Sequence, residues 1–170
     1  MLSKAIYPGS FDPVTNGHLD IMLRSLKLVD HLVIAVGNNK SKEALFSVDE
    51  KIQMLSDCLN QDNIVKQIIG RYSIVSYNGL LVEFIKANNI NVIIRGIRAL
   101  SDFDFEFNLA GMNAKIYPQA ETIFLTSSEN NQFISSMFVK EIAMYGGDVS
   151  SFVPPIVKDC LINKLNTSTK

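Results

Sequence analysis

The sequence predicts one α/β domain, built as a Rossmann-like parallel five-stranded sheet with helices on both faces. Short β-rich runs alternate with longer helical patterns, and this alternation is typical of parallel strands joined by helical crossovers. Residues 32–36 and 92–94 are continuous apolar runs, as expected for strands that helices cover on both faces. The length of 170 residues also suits one domain, which we place at residues 1–165, before a short polar tail at 166–170.

The expected elements follow from the apolar spacing and the turn residues. Strands are expected at residues 4–7, 31–36, 73–76, 92–94 and 122–125, and helices at 17–29, 48–59, 80–88, 102–117 and 133–144. Ser47 and Glu50 have the spacing of a capping box, which sets the start of the second helix. Residues 60–71 are ambiguous, because 64–69 reads either as a strand or as a long excursion; we treat them as an insertion before the third strand.

Composition argues against several classes of protein. The chain carries 16 basic and 17 acidic residues, a net charge of −1, and no basic run, so broad attraction to nucleic acid has little support. Cys58 and Cys160 lack CxxC or metal-ligand spacing, and we interpret them as apolar positions in a reducing compartment. We recognise neither a long apolar segment nor a leader-like start, and therefore expect a cytoplasmic protein that does not bind membranes.

The most informative segment is residues 5–18, where an apolar strand meets a turn with two prolines and two glycines before an amphipathic helix. His18 falls at the first turn of that helix, where free N–H groups and the helix dipole favour an anion. Its imidazole can donate a further hydrogen bond to a phosphate oxygen. Neither the P-loop pattern nor the dinucleotide-binding glycine pattern is present. The segment predicts a nucleotide phosphate site, with a purely structural histidine as the alternative.

Two arginines are candidate phosphate ligands at the same edge of the sheet. Arg95 and Arg98 follow the fourth predicted strand, and the carboxyl ends of parallel strands meet at one edge, together with the 8–18 loop. Guanidinium groups bind phosphate oxygens in a bidentate manner. The alternative is that both arginines form ion pairs with nearby carboxylates such as Asp102 and Glu106.

Lys42 and two serines complete the set of candidates. Lys42 lies in a polar stretch after the second strand, where the pattern alone favours a solvated side chain. Ser135 and Ser136 open the last predicted helix, and either can serve as its N-cap. A second helix N-terminus at this edge would also suit a triphosphate, and the two roles are compatible.

Several of these motifs together resemble a known family. Residues 15–18 have the Thr-x-Gly-His form of the nucleotidyltransferase superfamily, and the string at 7–18 is similar to the bacterial phosphopantetheine adenylyltransferases. The resemblance continues through residues 94–98, 102–106, 112–113 and 133–136. It implies an enzyme that converts ATP and 4′-phosphopantetheine to dephospho-CoA and pyrophosphate in coenzyme A biosynthesis, with Mg²⁺ and a homohexameric assembly.

The resemblance also implies roles for individual residues. The catalytic residues would be His18, Lys42 and Arg98. Phosphopantetheine would be held by Ser10, Lys42, Leu81 and Arg95. ATP would contact Ser10, Phe11, His18, Gly96, Ile97, Arg98, Glu106, Asn131, Gln132, Phe133, Ile134, Ser135, Ser136 and Met137. Mg²⁺ would be held through the ATP phosphates, with no protein side chain as a ligand.

The expected mechanism is direct in-line transfer. The acceptor phosphate is already an anionic nucleophile, so its attack on the α-phosphorus needs no catalytic triad, and positioning and charge neutralisation supply the rate. Two alternatives remain at this point. One is a related nucleotidyltransferase with another acceptor, such as nicotinamide mononucleotide, and the other is a non-catalytic nucleotide-binding module.

Overall fold

The computed structural model describes residues 2–38, 44–61 and 70–168. Over these ranges five parallel strands form one sheet, and the predicted fold class is confirmed. The strands are β1 (Leu2–Gly9), β2 (Val29–Gly37), β3 (Tyr72–Tyr77), β4 (Val92–Ile97) and β5 (Glu121–Thr126). The helices are α1 (Asn16–Ser25), α2 (Val48–Gln61), α3 (Leu81–Ala87), α4 (Leu100–Ile116), α5 (Ser136–Met144) and α6 (Pro155–Ser168), with a 3₁₀ turn at Glu129–Asn131.

The strand order β3-β2-β1-β4-β5 reverses at β1. Ile6 of β1 is in register with Val33 of β2 on one side and with Ile93 of β4 on the other. In open parallel sheets, ligands bind beyond the carboxyl ends of the strands at the point where the order reverses. The carboxyl ends of β1 and β4 therefore mark the expected binding region.

Apolar side chains cover both faces of the sheet. Ala5 and Tyr7 of β1 belong to a large cluster that also contains Met22, Leu55 and Leu161 from the helices. The alternating residue of β1, Ile6, belongs to a second cluster with Ile85, Ile90 and Ile93. This two-sided burial explains why the strands read as continuous apolar runs.

The helix boundaries agree with the sequence in part. The capping box is confirmed, since the Ser47 N–H donates to the Glu50 carboxylate at 2.7 Å and the Glu50 N–H to the Ser47 hydroxyl at 3.2 Å. The first helix was expected to run to residue 29 but ends at Ser25. Arg71 closes the turn that follows, because its guanidinium donates to the carbonyl oxygen of Leu26 at 2.9 Å.

The fourth strand is longer than expected. Its ladder with β5 continues until Ile97 lies opposite Thr126. Arg95 therefore lies within β4 instead of following it, and Arg98 is the first residue after the strand. The difference arises because pairing with a neighbouring strand, and not apolar pattern, ends a strand here.

The C-terminal helix α6 was not predicted. It begins at Pro155, a residue type that suits the first turn of a helix, and it buries Val157 and Leu161 at helical spacing. It runs to Ser168 and so includes the first residues of the expected polar tail. Residues 62–69, most of the region treated as an insertion, lie outside the described ranges. No helix formed by the described residues is long and apolar enough to cross a membrane.

Candidate active site

A cavity of about 920 Å³ opens at the carboxyl ends of β1 and β4, where the strand order reverses. Five parts of the described chain form its wall: the end of β1 with the start of α1, the end of β4, the first turns of α4, the residue after β5, and the segment that leads into α5 with the first turn of that helix. Small-molecule sites usually enclose about 300–1,000 Å³, so this cavity has room for an extended ligand.

His18 is held at the cavity wall by a reciprocal cap with Thr15. The main-chain N–H of Thr15 donates to Nδ1 of His18 at 3.1 Å, and the main-chain N–H of His18 donates to the Thr15 hydroxyl at 3.3 Å. Because Nδ1 accepts a hydrogen bond, the neutral imidazole carries its proton on Nε2. Nε2 is therefore the nitrogen of His18 that is left to donate to a ligand in the cavity.

The imidazole is uncharged at neutral pH. Burial, and then the positive charges of Arg98 and Arg95, lower the pKa of His18 from 6.5 to about 4. The structural interpretation of this histidine is confirmed, and the phosphate interpretation stays a prediction. Nδ1 has a structural role in the helix cap, while Nε2–H remains a hydrogen-bond donor.

Arg95 is fixed between β1 and α4. Its Nε and Nη2 atoms donate to the two oxygens of Glu106 at 2.6 and 2.5 Å, and Nη1 donates to the Pro8 carbonyl at 2.8 Å. Burial would lower the pKa of Arg95, but the hydrogen bonds and charge of Glu106 outweigh it, so the pKa is raised. Arg95 thus stays positively charged within the cavity wall.

Arg98 connects the end of β4 to the segment before α5. Its Nε and Nη2 atoms donate to the Asp102 carboxylate at 2.9 and 3.1 Å, and Nη1 donates to the Ile134 carbonyl at 3.2 Å. The ion pairs considered as an alternative from the sequence are thus present for both arginines. They do not exhaust the N–H groups of a guanidinium, and both arginines line the cavity, so donors remain for a ligand.

The N-terminus of α5 also forms part of the wall. The Ser135 hydroxyl accepts a hydrogen bond from the Phe138 N–H at 3.2 Å, which confirms the predicted cap. The Ser136 hydroxyl donates to the Pro13 carbonyl at 2.8 Å and so ties α5 to the β1–α1 loop. A second helix N-terminus therefore lies at the cavity, a position that favours an anion.

Asp12 is a buried charge that the sequence analysis did not single out. Its carboxylate accepts hydrogen bonds from the ammonium group of Lys140 at 2.7 Å and from the N–H groups of Phe46 and Leu45 at 2.9 and 3.1 Å. A second ammonium group, that of Lys51, lies 3.9 Å away. Burial raises the pKa of Asp12, but the hydrogen bonds outweigh it and the pKa is lowered. Asp12 thereby anchors the β1–α1 loop to α2 and α5.

Most of the sequence-predicted site residues meet in the cavity wall. Those that line it are Ser10, His18, Arg95, Gly96, Arg98, Glu106 and residues 132–137. The wall, as far as the described residues form it, leaves out Phe11, Ile97, Leu81 and Asn131. Phe11 and Ile97 are buried, and Leu81 packs against the second apolar cluster. Lys42 lies outside the described ranges.

The wall also contains residues that sequence reasoning missed. Tyr7, Phe105 and Ser127 line the cavity, although neither charge nor periodicity marks them in the sequence. Burial raises the pKa of Tyr7, so its hydroxyl stays protonated. Only the order of the strands and the packing of α4 bring these side chains to one place.

Within the described ranges, no group of three or more His, Cys, Asp or Glu side chains is arranged to hold a metal ion. Cys58 and Cys160 are free thiols, and burial raises the pKa of Cys58 to about 12. A thiol with so high a pKa is a poor nucleophile at neutral pH, in line with its interpretation as an apolar position.

The fold and the cavity together define a Rossmann-like nucleotide-binding domain. The chain matches the cytidylyltransferase-like family over residues 6–142, and it belongs to that family. This assignment agrees with the superfamily that the Thr-x-Gly-His motif indicated.

Solved structures with the same fold come from several organisms. The nicotinic acid mononucleotide adenylyltransferase of Plasmodium falciparum complexed with NaAD has a TM-score of 0.69, 16% identity and 96% coverage of both chains. A putative nicotinate-nucleotide adenylyltransferase from Vibrio parahaemolyticus has a TM-score of 0.66, 16% identity and coverage of 97% of this chain and 95% of its own. A bifunctional NMN adenylyltransferase/ADP ribose pyrophosphatase from Francisella tularensis has a TM-score of 0.73 and 14% identity, and covers 98% of this chain and 50% of its own. At these identities the likeness shows the fold.

Proposed function

We propose that this chain is an adenylyltransferase that joins the AMP group of ATP to the phosphate of 4′-phosphopantetheine, giving dephospho-CoA and pyrophosphate. The observation that carries the proposal is the meeting of His18, Arg95 and Arg98 in one cavity, with Nε2–H of a neutral imidazole left to donate. Such a set suits phosphoryl groups, for which positioned donors and positive charge supply most of the catalysis.

In the proposed reaction, an oxygen of the acceptor phosphate attacks the α-phosphorus of ATP in line with the leaving group. The bond between the α-phosphorus and its bridging oxygen breaks, and pyrophosphate leaves with that electron pair. Nε2–H of His18 would donate to an oxygen of the transferring group, where charge develops. Arg98 and the N-terminus of α5 would meet the leaving phosphates, while Arg95 would meet the acceptor phosphate. Lys42 stays a predicted ligand of the reacting phosphates, that is, of the phosphopantetheine phosphate and of the phosphates of ATP.

Mg²⁺ enters the proposal as an ion that ATP brings with it. The carboxylates of Asp102 and Glu106 in the cavity wall are both engaged by arginines. We therefore expect the ATP phosphates, and not these side chains, to supply its ligands. When bound, Mg²⁺ offsets negative charge on the phosphates that leave as pyrophosphate.

The choice of acceptor is the finer part of the proposal. It rests on the string at 7–18 and on the motifs at 94–98 and 133–136, which resemble the phosphopantetheine adenylyltransferases along most of the chain. A second candidate has separate support, because the solved structures with this fold include enzymes named for nicotinic acid or nicotinamide mononucleotide. In that case a pyridine mononucleotide would accept the AMP group through the same chemistry.

Pyrophosphate release tests both candidates. The protein is incubated with ATP and Mg²⁺ together with 4′-phosphopantetheine, nicotinamide mononucleotide, nicotinic acid mononucleotide or no acceptor. We expect release only with 4′-phosphopantetheine, and dephospho-CoA as the second product. Release only with a mononucleotide would keep the mechanism and replace the acceptor. ATP binding without release for any acceptor would instead indicate a nucleotide-binding module.

We further propose that the chain assembles as a homohexamer through α4. None of the residues of this helix is buried within the chain, and Leu100, Phe107, Met112 and Ile116 are more than half exposed. Apolar side chains gathered on one exposed helix are typical of a surface that packs against another protein. A second copy of the chain is the partner that the family resemblance implies.

Light scattering tests the assembly. We expect a hexamer for the natural sequence and a smaller species for Phe107→Lys. Ile162→Lys is the matched control, because Ile162 is an exposed apolar residue on a different helix, α6. A monomeric natural protein would refute the hexamer, and an unchanged mass for Phe107→Lys would refute α4 as the contact.

A further inference from the structure

Phe11 has a main-chain conformation that a phenylalanine rarely adopts. Its φ angle is +47°, in the left-handed region that favours glycine, asparagine and aspartate. Its side chain is nevertheless fully buried. Strained residues persist where the surrounding structure requires them, and they are concentrated at functional sites.

The Phe11 ring lies directly against the imidazole of His18. The two ring centroids are 5.1 Å apart, and the ring planes meet at 74°, an edge-to-face arrangement. The Phe11 ring also contacts the ring of Tyr7, with the centroids 5.6 Å apart and the ring planes at 68°. The three rings therefore form a continuous series of edge-to-face contacts, an aromatic cluster that runs from β1 to the start of α1.

Gly9 leaves the space that the Phe11 ring occupies in this aromatic cluster. A Cβ atom at position 9 would lie 2.6 to 2.9 Å from three atoms of the Phe11 ring. Contacts that short force the ring to move. The glycine is therefore required by the place that the Phe11 ring occupies.

The Thr15 cap alone does not orient the imidazole. It holds Nδ1, one atom of the ring, and leaves the ring plane to be set by a second contact. The Phe11 ring supplies that contact from within the apolar core. The direction of Nε2–H, the group assigned to the transferring phosphate, then depends on both neighbours.

We propose that Phe11 is a positioning residue, whose ring sets the plane of the His18 imidazole and shields it from water, and that Gly9 provides the space this requires. The proposal rests on the role given to His18 under the proposed function. It assigns the Phe11 side chain to the histidine and not to the nucleotide.

The shielding has a measurable consequence. Arg98 and Arg95 are the charged groups that act on the imidazole, and burial together with their charges lowers the pKa of His18 to about 4. If the Phe11 ring is removed, water gains access to the imidazole, and the pKa should rise toward 6.5. The two arginines remain in the variant, so we expect a partial rise.

The test compares Phe11→Leu with Phe46→Leu. Phe46 is also buried in the main core and loses the same atoms, but its ring makes no contact with His18. The chain has two histidines, so each imidazole can be followed by NMR, with His31 as an internal reference. His31 forms a hydrogen bond with Ser73 on β3 and does not line the cavity.

For Phe11→Leu we expect a changed chemical shift of the His18 ring protons and a raised pKa of His18. The chemical shifts of the His31 ring protons should stay unchanged. In the pyrophosphate assay, kcat should fall about tenfold to a hundredfold, because small displacements of a catalytic group cause rate losses of this size. KM for ATP should stay within about twofold of the natural value. Phe46→Leu should change neither the His18 titration nor kcat. Gly9→Ala, which displaces the ring without removing it, should reproduce the NMR changes.

Two results would overturn the proposal. One is a folded Phe11→Leu or Gly9→Ala protein in which the chemical shift and pKa of His18 are those of the natural protein. The other is a Phe46→Leu protein with the same changes, which would show general loosening of the core. If no acceptor supports pyrophosphate release, the proposed function fails, but the NMR comparison still decides whether Phe11 orients His18.

Discussion

Thr15 and His18 cap each other at the start of α1, with the Thr15 N–H donating to Nδ1 of His18 at 3.1 Å. In the usual capping box a glutamate or glutamine fills the position of His18. With an imidazole at this position, one side chain caps the helix through Nδ1 and presents Nε2 to the cavity. His18 therefore contributes both to the stability of α1 and to the chemistry proposed for the site.

Two variants of His18 should separate these roles. His18→Ala removes the acceptor of the Thr15 N–H and the Nε2–H donor, but it keeps the hydrogen bond from the main-chain N–H of residue 18 to the Thr15 hydroxyl. We expect it to cost about 1 kcal/mol of stability and about 3 kcal/mol of transition-state stabilisation. His18→Gln keeps an acceptor for the Thr15 N–H, so its unfolding midpoint should stay near that of the natural protein. Its amide nitrogen can still donate, but not from the position of the imidazole Nε2, so we expect a smaller fall in kcat than for His18→Ala. Denaturant unfolding and pyrophosphate release measure the two effects. Near-normal turnover of His18→Ala would contradict the catalytic role.

The low pKa of His18 predicts a loss of stability on mild acidification. The folded-state pKa is about 4 and the ordinary value is 6.5, so between these pH values the unfolded chain binds a proton that the folded chain does not. From pH 7 to pH 5 the natural protein should therefore lose about 2 kcal/mol more stability than His18→Gln. Urea titrations at several pH values measure this difference. Parallel curves for the two proteins would contradict the burial of a neutral His18.

Arg98 should contribute to ATP affinity, while a similar arginine should not. Arg98 and Arg24 each form an ion pair with an aspartate four residues away, and their side chains are 39% and 37% exposed. Arg98 lines the cavity, whereas Arg24 does not. We expect Arg98→Ala to weaken ATP binding about tenfold or more, as loss of a charged hydrogen bond does. Calorimetry with ATP and Mg²⁺ should show no comparable loss for Arg24→Ala, and equal effects would refute the assignment.

Asp12 should be important for stability because its charge is buried between two lysines. Asp12→Asn leaves the ammonium groups of Lys140 and Lys51 without a countercharge, and we expect a loss of about 3 kcal/mol. The matched control is Asp148→Asn, which breaks an exposed pair with Lys158 and should change little. Denaturant unfolding of both variants measures the difference, and similar small losses would contradict the role of Asp12.

The same carboxylate predicts a second effect of acid. Its pKa is lowered in the folded state, so its stabilisation is present above the ordinary value of 3.8 and is lost as the pH falls below that value. The natural protein should lose this contribution in strong acid, whereas Asp12→Asn has none to lose. The gap in unfolding free energy between the two proteins should therefore narrow below about pH 4.

Much of the fold could be predicted from local pattern. Alternating strand and helix signals predicted the parallel sheet. The turn at residues 8–17 indicated a site at the end of β1, where the structure has the cavity, and anion binding there stays a prediction. The boundaries were less accurate: α1 ended early at a turn closed by Arg71, and β4 continued along its pairing with β5. Helix α6 was missed, although Val157 and Leu161 have helical spacing.

By itself, the sequence determined the succession of the five strands and of the helices α1 to α5 along the chain, and the residue types at the strand ends, because apolar period, prolines and glycines act over a few neighbouring residues. Only the tertiary structure decided which nitrogen of His18 is left to donate to a ligand. It also decided that Arg95 forms an ion pair with Glu106, and that Asp12 forms one with Lys140. These relations depend on φ angles and on distances between atoms far apart in the chain, and such distances are set when the sheet and helices pack together, beyond the reach of local pattern.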